Sequence, residues 1–141
     1  MLVQISTGIG LLVLCVCVQV AGIIALVRFL PSIGRLFDAK LGKAVSLYSL
    51  VVSTVLILLI AHLTQILIWA AFFAGSTATP YFQSALYFAA VTYTTLGYGD
   101  LVPDQAQRMM AGLCAMTGLL SFGLSTAALV TMLRSLVEIE D

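Results

Sequence analysis

The sequence predicts an all-α membrane protein, with three membrane-spanning helices and one shorter helix that enters the bilayer and turns back. Three observations predict it. Of the 141 residues, 62% are hydrophobic and 9% are charged, and the mean hydropathy is +1.15, too apolar for a soluble domain of this length. Three apolar runs are each long enough to cross a hydrocarbon core of about 30 Å. Between the second and third lies a shorter apolar run, followed by Thr94-Thr95-Leu96-Gly97-Tyr98-Gly99-Asp100.

The first span runs from Ile5 to Val27, inside segment 1–30, with Gln19 as its only strongly polar side chain. A cleaved signal peptide is the competing reading. It lacks a basic stretch in front, and Cys15–Val18 is followed by more apolar sequence instead of a cleavage site. Residues 31–43 form a basic cytoplasmic linker. There Pro31 can start a helix that puts Ile33, Leu36, Phe37 and Leu41 on one face, with Arg35 and Lys40 off it. Such a helix would lie along the inner leaflet; a plain basic loop is the alternative.

The second span, 44–74, is longer than the hydrocarbon core requires and should tilt or extend beyond it. Residues 82–94 have helical character but are too few to span, which fits a re-entrant helix. The third span, 108–134, is bracketed by Arg108 and Arg134 with no charge between them, and leaves a tail at 135–141. Non-helical backbone at membrane depth survives only when buried in protein or lining a water-filled path. The stretch 95–99 meets that condition if several copies surround one axis. The preceding short helix would then aim its negative dipole end at the centre, which favours a cation there.

Charge sets the orientation. Arg28, Arg35, Lys40 and Lys43 cluster in the first loop against Asp38, so that loop should be cytoplasmic. The N-terminus is then outside, the hairpin dips in from outside, and the C-terminus is cytoplasmic. Six basic and six acidic residues leave no net charge, hence no nucleic-acid footprint. With no Asn there is no N-glycosylation site. Cys15, Cys17 and Cys114 all lie in apolar runs and are expected to be small buried hydrophobes, without a disulfide framework. No cofactor site and no catalytic constellation is expected: the single histidine, His62, and the acidic residues form none. An enzyme is not expected.

Residues that alternate between right- and left-handed backbone conformations bring successive carbonyls onto one side. Glycine suits the left-handed positions because it has no Cβ to clash, and Gly97 and Gly99 stand two apart. Leu96 and Tyr98 can then turn their side chains away from an ion path, and the Thr95 hydroxyl can add an oxygen at its inner end. This stretch resembles the selectivity filter of potassium channels, usually Thr-Val/Ile-Gly-Tyr-Gly-Asp. From about Tyr81 to Leu133 the chain is similar to the pore domain of tetrameric potassium channels, and in particular to the small proton-gated bacterial channel. Asp100-Leu101-Val102-Pro103 continues the likeness, and residues 118–129 resemble that family's pore-lining inner helix nearly residue for residue. The first span has no counterpart in the two-span channels.

The resemblance implies a pore domain over 44–141, with an outer helix, pore helix, filter at 95–99 and inner helix, closed by a homotetramer in a bacterial inner membrane among its lipids. It implies K+ as the permeant ion, held by carbonyls of Thr95, Leu96, Gly97 and Tyr98 with Gly99 shaping the filter and Asp100 marking the outer mouth. A non-conducting channel subunit and a weakly selective cation channel are the alternatives; the intact Gly97-Tyr98-Gly99 argues against the latter. Leu96 replaces the usual β-branched residue and loses χ1 stiffness. Val91 stands where the proton-gated channel has a carboxylate, and Val102 where some members carry an aromatic. Tyr87, on the short helix, has a hydroxyl within reach of Asp100; a simply solvated Asp100 is the alternative.

For gating, Gly118 is a hinge candidate. If Phe122 faces the axis, helical spacing brings Thr126, Val130 and Arg134 to the same face. Phe122 and Thr126 would then line the cavity, Val130 would form an apolar ring, and Arg134 would pair with Glu138 or snorkel to headgroups. His62 is a candidate pH sensor; a neutral His62 bonded to a neighbouring helix is the alternative. The basic residues do not have the spacing of a voltage sensor. The few residues after the third span leave no room for a ligand-binding domain.

Overall fold

A computed structural model of the chain describes residues 2–41, 43–75 and 79–137. All the regular structure in them is helical: α1 (Leu2–Leu41), α2 (Lys43–Phe73), α3 (Phe82–Tyr93) and α4 (Gln105–Val137). Three stretches are long and apolar enough to cross a membrane, Val3–Leu30, Leu47–Phe73 and Gln107–Arg134. At a rise of about 1.5 Å per residue, α3 reaches only about 18 Å, so it cannot span.

One boundary differs from the sequence expectation. The backbone of 31–41 is neither a loop nor a separate helix, because α1 continues through Pro31 to Leu41. A proline inside a helix removes one i→i−4 hydrogen bond, and here the helical residues on both sides carry the helix past it. The side chains that would form the interfacial face, Ile33, Leu36, Phe37 and Leu41 with Arg35 and Lys40, lie outside the described residues.

Helix α1 packs chiefly on α2 and also against α4, while α3 sits between α2 and α4. The core joins all four helices: Cys15 from α1, Trp69 and Phe73 from α2, Phe88 and Tyr93 from α3, Met110 and Cys114 from α4. Phe73 meets Phe88 edge-on at a centroid distance of 4.9 Å, and Trp69 stacks on Phe73 at 5.8 Å. Lipid tails are as apolar as these side chains, so packing rather than water exclusion drives helices together in a bilayer, and small residues permit close approach. Gly22 serves this on α1, where an added Cβ would stand 3.3 Å from the Ala61 Cβ. All three cysteines are free thiols, Cys15 and Cys114 buried; Cys17, expected buried, is exposed on α1 of the single chain.

Candidate functional site

The non-helical stretch 95–99 begins where α3 runs out of helix. Thr94 caps α3 with its backbone N–H on the Ala90 carbonyl, and its hydroxyl donates to the same oxygen at 2.8 Å. The chain then folds back on the helix end. Thr95 N–H donates to the Thr92 carbonyl at 3.0 Å, and Leu96 and Gly97 donate to the Val91 carbonyl at 2.9 and 3.3 Å. Beyond these bonds the strand is exposed. Among the described residues, no carbonyl of Thr95 to Gly99 accepts a hydrogen bond.

The backbone hand alternates here as the sequence suggests, and further than it suggests. Gly97 has φ +56° and Gly99 φ +77°, and Thr95 is also left-handed at φ +60°. A β-branched residue at positive φ is an outlier and costs of order 1–3 kcal/mol unless its surroundings over-determine it. Here its own N–H and those of the next two residues are pinned to the end of α3. Thr95 lies two before Gly97, as Gly97 lies two before Gly99. Left-handed residues at every second position are the backbone pattern that can turn successive carbonyls to one side, and among the described residues those carbonyls accept no hydrogen bond.

Asp100 closes the strand. Tyr87 donates its hydroxyl to Asp100 Oδ2 at 2.7 Å, and Leu101 N–H donates to Oδ1 at 3.1 Å. Both carboxylate oxygens are thus engaged, and Tyr87 is tied to the Asp100 end of the stretch. The hydrogen bond to the carboxylate pushes the Tyr87 phenol above its ordinary pKa, so the group remains a donor. Val102, beyond the aspartate, is exposed.

On α4 the buried positions Met110, Cys114, Thr117, Ser121 and Met132 recur at helical spacing and face the rest of the chain. Thr126, Val130 and Arg134 fall on the opposite, exposed side. Phe122, 42% exposed, borders that side one helical turn before Thr126. Its ring stacks on His62 at 4.5 Å and meets Tyr93 at 5.8 Å, so it leans toward α2 from the edge of that face. Leu119, 61% exposed, lies nearer the middle of the open face; only its spacing from Thr126 and Val130 could have singled it out. Gly118 lies inside an unbroken helix, where an added Cβ would fall on the Tyr93 carbonyl oxygen. Its missing side chain lets α4 touch the end of α3, which accounts for the glycine without a hinge. The pairing of Arg134 with Glu138 lies outside the described residues.

At the end of α3 is a buried polar cluster that the sequence did not assemble. His62 Nδ1 is 2.8 Å from the Tyr93 hydroxyl, and His62 Nε2 is 2.9 Å from Ser125 Oγ. Gln65 donates Nε2–H to Gln19 Oε1 at 2.8 Å, and Gln19 donates Nε2–H to Ser125 Oγ at 2.8 Å. Tyr93 and Ser121 donate to Gln65 Oε1 at 3.1 and 2.7 Å. Gln19 and Gln65 are both 0% exposed. Every group hydrogen-bonded to His62 is neutral.

A family model described as an ion channel matches residues 44–135. That is more than half of the chain, and it contains α3, the alternating strand and nearly all of α4; the chain belongs to this ion-channel family. It is an integral membrane protein and not an enzyme. Over 49 residues it is 39% identical to the potassium voltage-gated channel protein Shal of Drosophila melanogaster, a stretch that covers 34% of this chain and only 9% of that protein. No solved structure matches. Helix α1 lies before the family match.

Proposed function

We propose that this chain forms a homotetrameric potassium-selective pore that conducts K+ passively through the strand 95–99. The observation that carries the reading is the alternation of backbone hand at Thr95, Gly97 and Gly99, with carbonyls that no group among the described residues bonds. One such strand offers one side of a cage. Four around an axis offer rings of oxygens able to replace the hydration shell of a cation. The Shal stretch supports potassium as the ion, and the likeness of residues 118–129 to the inner helix of the small proton-gated bacterial channel supports α4 as the pore lining. Val91 sits where that channel has a carboxylate, so Asp100 is held by Tyr87 instead. Purified protein in liposomes with a K+ gradient should show flux that Na+ cannot replace; equal flux of both ions, or none, would overturn the reading.

A further inference from the structure

The cluster at the end of α3 has a direction. Gln65 gives a hydrogen to Gln19, and Gln19 gives one to Ser125. Tyr93 spends its only hydroxyl hydrogen on Gln65, so toward His62 it can only accept. In that arrangement His62 carries its proton on Nδ1 and accepts at Nε2 the hydrogen of Ser125. The five side chains thus form a closed ring in which each donates to the next. It draws one member from α1, two from α2, one from α3 and one from α4. Tyr93, the last residue of α3, lies two before the first left-handed filter residue.

We propose that Gln19 is a positioning residue for the filter: the first helix holds the end of the pore helix through this one-way ring. The proposal rests on the potassium-filter reading of residues 95–99 and gives a role to a helix that precedes the family match. Polar side chains at this depth are costly unless fully bonded, and bonded chains of one direction reinforce each other. An apolar contact would have sufficed to pack α1 on α2, as Gly22 and Ala61 do elsewhere on the same interface. Removing Gln19 leaves Gln65 with an amide facing no partner and takes from Ser125 the hydrogen it accepts. The ring then loses its fixed sense, and Tyr93 its fixed hydroxyl.

The test uses Gln19→Met, close in size and without hydrogen-bonding groups, and Ser125→Ala, which opens the same ring from α4. His62 is the only histidine, so its imidazole 15N signals need no assignment. Full-length wild type in lipid should show one neutral tautomer with the proton on Nδ1, and both variants should lose that preference. In liposomes both should still conduct K+ at first, with flux decaying on the order of fivefold faster, the factor of one net hydrogen bond. A wild type with the proton on Nε2, or variants with an unchanged tautomer, would overturn the ring. A changed tautomer with unchanged decay would overturn the positioning role. Absence of K+-selective flux in wild type would instead defeat the filter reading, while the nitrogen signals would still report on the ring.

Discussion

The stretch 95–99 and the polar ring at Tyr93 are near neighbours built on opposite rules. The ring is complete within one chain: its five members are drawn from four helices, and each has both a donor and an acceptor. The strand is incomplete: its carbonyls have no partner among the described residues, and three of its residues hold a left-handed backbone. The strand's oxygens are exposed in the single chain, and on the proposed function they are what a cation and other copies of the chain would meet. The ring, already satisfied, can only hold something in place. The difference teaches that function lies where the chain leaves bonds unmade, and support lies where it makes them all.

The sharpest way to break this contrast is to add a Cβ on the strand. Gly97→Ala places a side chain at φ +56°, at a cost of about 1–2 kcal/mol repeated in every copy of the assembly. Selective K+ flux is expected to disappear in a liposome assay. Thr95 bears the same conformation with a Cβ, but its N–H bonds at 3.0 Å, whereas that of Gly97 reaches the Val91 carbonyl only at 3.3 Å. Unchanged selectivity in Gly97→Ala would show that the left-handed alternation is not what makes the filter.

The supporting side should respond in stability instead. Gly118→Ala drives a methyl group onto the Tyr93 carbonyl, and overpacking of this kind costs about 1–3 kcal/mol. A lower midpoint of thermal unfolding is expected, while Gly112→Ala, which meets nothing within 4 Å, should leave the midpoint unchanged or raise it slightly, since alanine favours a helix interior over glycine. Equal midpoints for the two variants would mean that α4 does not rest on the end of α3.

These expectations also mark how far the sequence could be followed. The strand was legible because its chemistry is contiguous: Gly97, Gly99 and Asp100 stand in order along the chain, and the short apolar run before them announces α3. Thr95 is not legible as left-handed, because only glycine announces that conformation in a sequence and threonine rarely adopts it. The ring was not legible at all. Gln19 was visible only as the polar exception in the first span, and Ser125 only as part of the inner helix, since nothing in a linear pattern brings residues 19, 62, 93 and 125 together. Gly118 is a hinge candidate in sequence because helical glycines allow either bending or close contact, and the close contact with the Tyr93 carbonyl appears only in the fold. Pro31 suggested a break that the helix does not make.

Smaller effects sharpen the picture at the two ends of the pore. Tyr87→Phe removes the hydrogen bond to Asp100 Oδ2 but leaves the Leu101 N–H on the other oxygen. Flux should therefore begin normally and decay faster, and identical decay curves would show that Asp100 is held by solvent. At the inner end, Val130 lies on the exposed face of α4, and Val130→Ala should modestly raise resting flux by widening the passage. The least change is expected at the outer mouth. Val102 is exposed and offers no aromatic face, so external tetraethylammonium should block weakly, and Val102→Tyr should strengthen the block by a cation–π contribution of about 0.5–1 kcal/mol.

One measurement bears most directly on the strand as a potassium filter. With the purified protein in a planar bilayer, K+ on one side and an equal concentration of Na+ on the other, the current should reverse at a strongly displaced voltage that opposes K+ movement. Exchanging the two solutions should reverse its sign. A reversal voltage near zero, with the protein conducting, would contradict the account, because a column of carbonyls that replaces the hydration shell of K+ cannot treat the two ions alike.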